Sequence, residues 1–269
     1  MQYRGLLAVI AIGCGGGDAM GRLADAPEGA PDAAGCVASG PEVCDGVDND
    51  CDGLVDNVDV GGDGIYDCQR VLFLGPPGLR ASSDFEKWAH GNGTMVTRMI
   101  DPNVVVTAAL LAPFDLVLID RISRTYSADE AAALAAWVAR GGGVMALSGY
   151  LGGPPDKDNP NSLVAGMGIG FTGDLLNGPV TTFAADPLTT GLSSVTFAGG
   201  FGVAVDAAAD RPVLVGKVGA QVVAASVRHG EGRVYLWGDE WVTFDSEWAG
   251  SAEIRQFWVD AFGWLGRFR

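Results

Sequence analysis

The sequence predicts an α/β fold, a mostly parallel sheet flanked by helices, preceded by a small disulfide-rich module. Three observations carry this. From residue 70 onward, apolar runs of strand length alternate with stretches of helical period. Four of the five cysteines, Cys36, Cys44, Cys51 and Cys68, fall within 33 residues, and none follows. The same region holds the charge: residues 15–69 carry thirteen acids against one base, Arg22, in a chain of net charge −16. With the acidity confined to one segment and no basic patch elsewhere, nucleic acid is excluded as a partner.

The first element, "MQYRGLLAVIAIGC", places Arg4 before a short apolar run from Leu6 to Ile12. That run is too short to span a bilayer and has the layout of an export signal. "AIGC" (Ala11 to Cys14) resembles the lipobox of bacterial lipoproteins. The resemblance implies cleavage before Cys14, which becomes the lipid-bearing first residue of a chain anchored to the membrane rather than spanning it. Gly15 to Gly17 lack the aspartate that retains such proteins at the inner membrane, which points to the outer membrane or cell surface. Residues 15–40, rich in Gly, Ala, Asp and Pro without apolar periodicity, read as a tether.

Residues 41–69 form the next unit. An even, clustered set of cysteines in an exported chain reads as two disulfides, with three pairings open. Zinc is the competing reading; it lacks a CxxC pair and a neighbouring histidine. Within the unit, Cys44–Asp59 ("CDGVDNDCDGLVDNVD") holds six aspartates whose mutual repulsion calls for a cation or for full solvation. Counted from Asp48, the residues Asp48, Asp50, Asp52, Gly53, Asp56 and Asp59 occupy positions 1, 3, 5, 6, 9 and 12 of a calcium loop, with the Leu54 carbonyl at position 7. Alternate carboxylates on a tight loop can point inward together, and Gly53 permits the turn. A second copy, with Asp59, Asp63, Gly64 and Asp67, has Gly61 and Arg70 at ligand positions. "EVCDGVDNDCDGLVD" (Glu42 to Asp56) resembles a recurring metal-binding motif of bacterial surface proteins of the MopE type, one of which handles copper, and the calcium repeats of thrombospondin. An all-oxygen donor set favours calcium over copper, which prefers nitrogen or sulfur.

Residues 70–269 are the α/β unit. "VLFLG" (Val71 to Gly75) is a continuous apolar run, as in a strand buried on both faces. A helix follows, with Ser83 and Glu86 spaced as a capping box and Phe85, Trp88 and Ala89 on one face. "TMVTRMI" reads as a strand, the stretch near Val104 to Leu111 as a short helix, and Asp115–Asp120 as a strand. Ser127 and Glu130 form a second capping box, opening a helix that Gly141 to Gly143 end. Val144–Gly149 is a fourth strand. "PVLVGKV", "QVVAASVRHG" and "GRVYLWG" read as strands joined by tight turns. The last stretch spaces Ile254, Phe257, Trp258, Ala261, Phe262 and Leu265 as the apolar stripe of a closing helix.

This order, with "GGGVMALSG", "DPLTTGL" and "GEGRVYLWGDEW", resembles the class I glutamine amidotransferase-like fold, in particular its trehalose-utilisation-like, non-catalytic branches. Active members place a cysteine after the central strand. Here Ser148 stands near that position and the unit contains no cysteine. The two histidines, His90 and His229, are not spaced as a base for Ser148. Ligands of such sheets bind beyond the carboxyl ends of the strands. The polar groups expected there are Asp120 and Arg121, Ser148 to Tyr150, and Asp239 with Glu240, a set suited to a sugar or a peptide end. Asp239 and Glu240 point to opposite faces if they continue a strand, and to one side only if the chain turns. The expectation is a lipid-anchored surface protein with a calcium loop and a binding, non-catalytic α/β domain. The rivals are a hydrolase of carbohydrate or peptide and a copper-binding surface protein.

Overall fold

The computed structural model describes residues 36–62, 64–77, 82–149 and 153–266. Cys14, most of the tether, Asp63 and Tyr150 lie outside them. The strands are β1 (Arg70–Leu74), β2 (Met95–Met99), β3 (Leu116–Ile119), β4 (Gly143–Leu147), β5 (Ile169–Asn177), β6 (Thr182–Phe183), β7 (Ala198–Val205), β8 (Asp210–Val218), β9 (Gln221–His229) and β10 (Gly232–Trp237). The helices are α1 (Ser83–Gly91), α2 (Ala108–Leu111), α3 (Ala128–Ala139), α4 (Pro155–Leu163), α5 (Asp245–Gly250) and α6 (Ala252–Leu265). None is long and apolar enough to cross a membrane.

Eight strands form one sheet in the order β2-β1-β3-β4-β10-β9-β8-β6. The first five run parallel, and β2, β3 and β4 are each reached by a crossover that carries a helix; β9 joins β10, and β8 joins β9, antiparallel through short turns, and β6 pairs antiparallel with β8 at the edge. β5 and β7 pair as a separate antiparallel ribbon. Strand alternation divides the core into two layers. Phe73, Leu118, Met145, Tyr235 and Trp237 face α1, α5 and α6, while Leu74, Ile119, Ala146 and Leu236 face α2, α3 and α4. The predicted stripe of α6 is buried throughout, with Trp258 against Phe85 of α1 at 4.1 Å between ring centroids.

The Ser127–Glu130 capping box is present at the start of α3. The one expected at α1 is not. Ser83 is the first helical residue and its hydroxyl donates to Asp245 Oδ2 (3.2 Å), while Asp84 N donates to Asp245 Oδ1 (2.9 Å). A carboxylate from α5 therefore satisfies the helix N-terminus, where the dipole favours an anion, and this frees Glu86 to pair with Arg98.

The acidic module is stapled by disulfides Cys36–Cys51 and Cys44–Cys68, which settles the open pairing. The module is seated on the α/β unit by Ile65, 1% exposed within the α6-side core, and by Gln69, whose Nε2 donates to Phe262 O. It enters β1 from its amino end, so the acidic loop and the carboxyl ends of the parallel strands lie at opposite ends of the sheet.

Candidate functional sites at the two ends of the sheet

At the amino end, the acidic loop is organised by hydrogen bonds from backbone amides to carboxylates. Gly53 N donates to Asp48 Oδ2 (3.0 Å), five residues back, and Gly64 N donates to Asp59 Oδ2 (2.9 Å) with the same spacing. Both glycines have positive φ, +88° and +83°, so the sequence repeat is also a repeat of conformation. Asp52 and Leu54 donate their amides to Asp50 and Asp52. Asp56 Oδ1 receives the amides of Asp45 and Gly46, each at 2.9 Å.

Carboxylate oxygens of Glu42, Asp48 and Asp50 lie within 4.8 Å of one another. Asp48 Oδ1 is buried and has no hydrogen-bond partner. Of the six ligands predicted by counting, the structure gathers Asp48 and Asp50 in this way. Asp52 additionally receives Asn57 Nδ2, and Leu54, Asp56 and Asp59 are outside the trio. Glu42 was not in the predicted set. It precedes the counted register, yet it ties the loop together by accepting the amides of Asn49, Asp50 and Asp56.

At the carboxyl end, the predicted crevice residues do collect, because each follows a parallel strand. Asp120 follows β3, Ser148 follows β4, and Asp239 and Glu240 follow β10. The chain leaves β10 at Trp237 and turns at once into a 3-10 turn over Trp241–Thr243, so both acids are buried. Most of their polar atoms serve the protein itself. Ser148 Oγ donates to Gly238 O (3.1 Å). Asp239 accepts the amides of Ala198 (2.6 Å) and Trp241 (3.3 Å). Asp120 pairs with Arg98 Nη1 at 3.1 Å and accepts the amide of Arg121. The strand order brings Arg98 across from β2 as its ionic partner.

Glu240 differs from its neighbours. It is 2% exposed, and its Oε2 has no partner. Burial, then the charges of Asp120 and Asp239, push its carboxyl up to about 8, and burial pushes Asp239 up to about 8. Burial also raises Asp120, against the pull of Arg98. Neither Ser148, Asp239 nor Glu240 has a histidine as a hydrogen-bond partner. His90 lies in the last turn of α1, and His229 pairs with Gly232 at the start of β10, so both stand at the other end of the sheet.

No family model matches the chain, and no curated protein does. Solved structures do. A cytoplasmic protein of Salmonella typhimurium LT2 is 15% identical, with a TM-score of 0.58 over 74% of this chain and 100% of that one. The N-terminal domain of an IFT52 protein is 16% identical, with a TM-score of 0.60 over 73% of this chain and 97% of that one. A ThuA-like protein of Bacteroides uniformis ATCC 8492, 12% identical over 73% of this chain and 90% of that one, is a weaker likeness at 0.49. What the first two share with this chain is the fold, a mostly parallel sheet flanked by helices. No cysteine follows Cys68 in the sequence.

Proposed function

We propose that the chain is an exported, lipid-anchored surface protein whose acidic loop holds calcium and whose α/β domain binds rather than catalyses. Asp48 Oδ1, buried and unpartnered beside Glu42 and Asp50, carries the calcium reading, because an orphaned carboxylate oxygen among two other carboxylates is what a hard cation relieves. The Asp48–Gly53 bond supports it by closing the loop in the register counted from sequence. The donor set is all oxygen, and the four cysteines nearby are spent in disulfides, so calcium is favoured over copper.

The binding role is supported by the hydrogen bonds of Ser148 and Asp239, which commit both groups to backbone partners. Export and lipidation at Cys14 rest on the N-terminal sequence alone.

Calorimetric titration of the oxidised full chain with calcium tests the metal reading. A saturable signal lost in Asp48→Asn and in Asp50→Ala is the expected result. An absent signal overturns it, and copper binding that persists in excess calcium replaces it with the copper reading. The anchor is tested separately, by loss of acyl mass and of membrane fractionation in Cys14→Ser.

A further inference from the structure

Arg228 of β9 and Arg233 of β10 are direct cross-strand partners, so both side chains stand on one face of the sheet, the face that α6 covers. Like charges placed directly opposite each other repel. Trp264, in the last turn of α6, lies against both, with the two guanidinium carbons 5.7 and 5.6 Å from its ring centroid. Arg233 Nη1 donates to Trp264 O; among the described residues the rest of that fork, and the whole of the Arg228 fork, has no acceptor. The four ion pairs among these residues use Lys87, Arg98 and Arg124 and leave both arginines out. In a chain of 33 acids and 17 bases, two half-buried guanidiniums side by side without a carboxylate are an anomaly. Burial, then the charge of Arg228, hold Arg233 down at about 10. The group that offsets them is Tyr66, whose phenol, itself raised, carries no charge at neutral pH.

We infer that Arg228 and Arg233 form a binding site for a single phosphoryl group, as carried by a phosphate ester. An anion held by both guanidiniums removes the repulsion that the strand register imposes. A phosphoryl group presents three acceptor oxygens and can meet two forks, whereas one fork already fills a carboxylate. Trp264 and Tyr66, both half-buried, supply rings and a hydroxyl beside the pair for the organic part of the ester. A polyanion is the poorer ligand, because Asp59 and Asp52 act on Tyr66 next to the pair. The inference does not depend on the calcium reading of the acidic loop.

The test follows thermal unfolding and calorimetry of the oxidised full chain and of Arg228→Gln as glycerol 3-phosphate is added in calcium-free buffer. Ionic strength is held constant with chloride, and acetate is the carboxylate control. A second arm measures binding of both proteins to phosphatidylcholine vesicles containing phosphatidylglycerol; their N-termini are identical, so only the difference between them is read. The expected result is a saturable rise in the midpoint of the wild type that acetate does not reproduce. Affinity in Arg228→Gln should be about tenfold weaker, the weight of one charge-assisted contact. Without ligand, the variant's midpoint should be no lower than that of the wild type, since a like-charge pair has been removed. A response to the soluble ester assigns the phosphoryl group to a free ester, and a difference seen with vesicles alone assigns it to a lipid headgroup. No response in either arm, an equal response of Arg228→Gln, or an equal response to acetate overturns the inference. A variant that is less stable without ligand, yet responds to phosphate as the wild type does, would show that Arg228 serves only to pack on Trp264.

Discussion

Arg98 of β2 reaches across β1 to place its Nη1 3.1 Å from Asp120 Oδ2, and it holds Gly75 O (2.8 Å) and Glu86 with the same guanidinium. Three strand ends and α1 are thus tied by one side chain, 11% exposed, at the carboxyl end of the sheet. Asp120 is 1% exposed and cannot exchange this partner for water. Arg98→Met is expected to destabilise the fold by about 3 kcal/mol, the cost of leaving a buried charge uncompensated. Because a lone Asp120 escapes by taking up a proton, the loss grows as pH rises. Urea midpoints between acid and neutral pH measure it, and Arg98→Met/Asp120→Leu should recover much of the stability.

That pair also marks how far sequence reading reaches. The four parallel strands, the α3 capping box and the α6 stripe were legible because each is a local pattern of period two or 3.6. The partner of Asp120 was not, because it depends on strand order, β2-β1-β3, which no local pattern encodes. Glu42 escaped for a related reason: it binds the loop from outside the register that defines it. α4 went unread because Pro155 and Pro160 sit among Asp and Asn, although Pro155 occupies the first helical position, where no amide is needed. The β5–β7 ribbon pairs glycine-broken segments far apart in sequence.

Ile65 fastens the acidic module to the domain. It is 1% exposed, and Gly64 beside it approaches Val259 and Gly263 of α6. Ile65→Ala should cost about 2–4 kcal/mol, as expected for a buried aliphatic truncation. It should also hasten proteolysis within residues 36–69, because the two disulfides hold the module together but do not tie it to α6. Limited proteolysis with mass mapping distinguishes this from uniform destabilisation of the whole chain.

Glu130 gives the fold an acid limit. Its carboxylate accepts two bonds from Arg124 and the amides of Val106 and Ser127, and Arg124 foremost holds it down at about 2. A depressed carboxyl stabilises the fold above its unfolded value, near 4.5, and that contribution is lost as pH falls toward 2. Glu130→Gln should therefore be less stable than wild type at pH 7, by about 2–3 kcal/mol, with the difference closing below pH 3. Paired denaturant titrations across that range check both the size and the direction.

Glu240 predicts the opposite slope. Its carboxyl is raised to about 8 in the folded chain, so between roughly pH 4.5 and 8 the native state holds a proton that the unfolded state has released. Stability contributed by this group is complete below that window and declines as pH rises through it. Asp239, also raised to about 8, adds to the decline, and the two titrate as a pair. Glu240→Gln removes the ionisable group while keeping a neutral side chain of the same shape, so it should flatten the fall in stability between pH 5 and 8 and leave the variant more stable than wild type at pH 8. Asp239 is the poorer choice for substitution, because its two oxygens accept the amides of Ala198 and Trp241 and an asparagine would present an N–H to one of them. Urea midpoints for wild type and Glu240→Gln at pH 5 and pH 8 decide the matter: an unchanged slope would mean that the carboxyl of Glu240 is not raised in the folded chain.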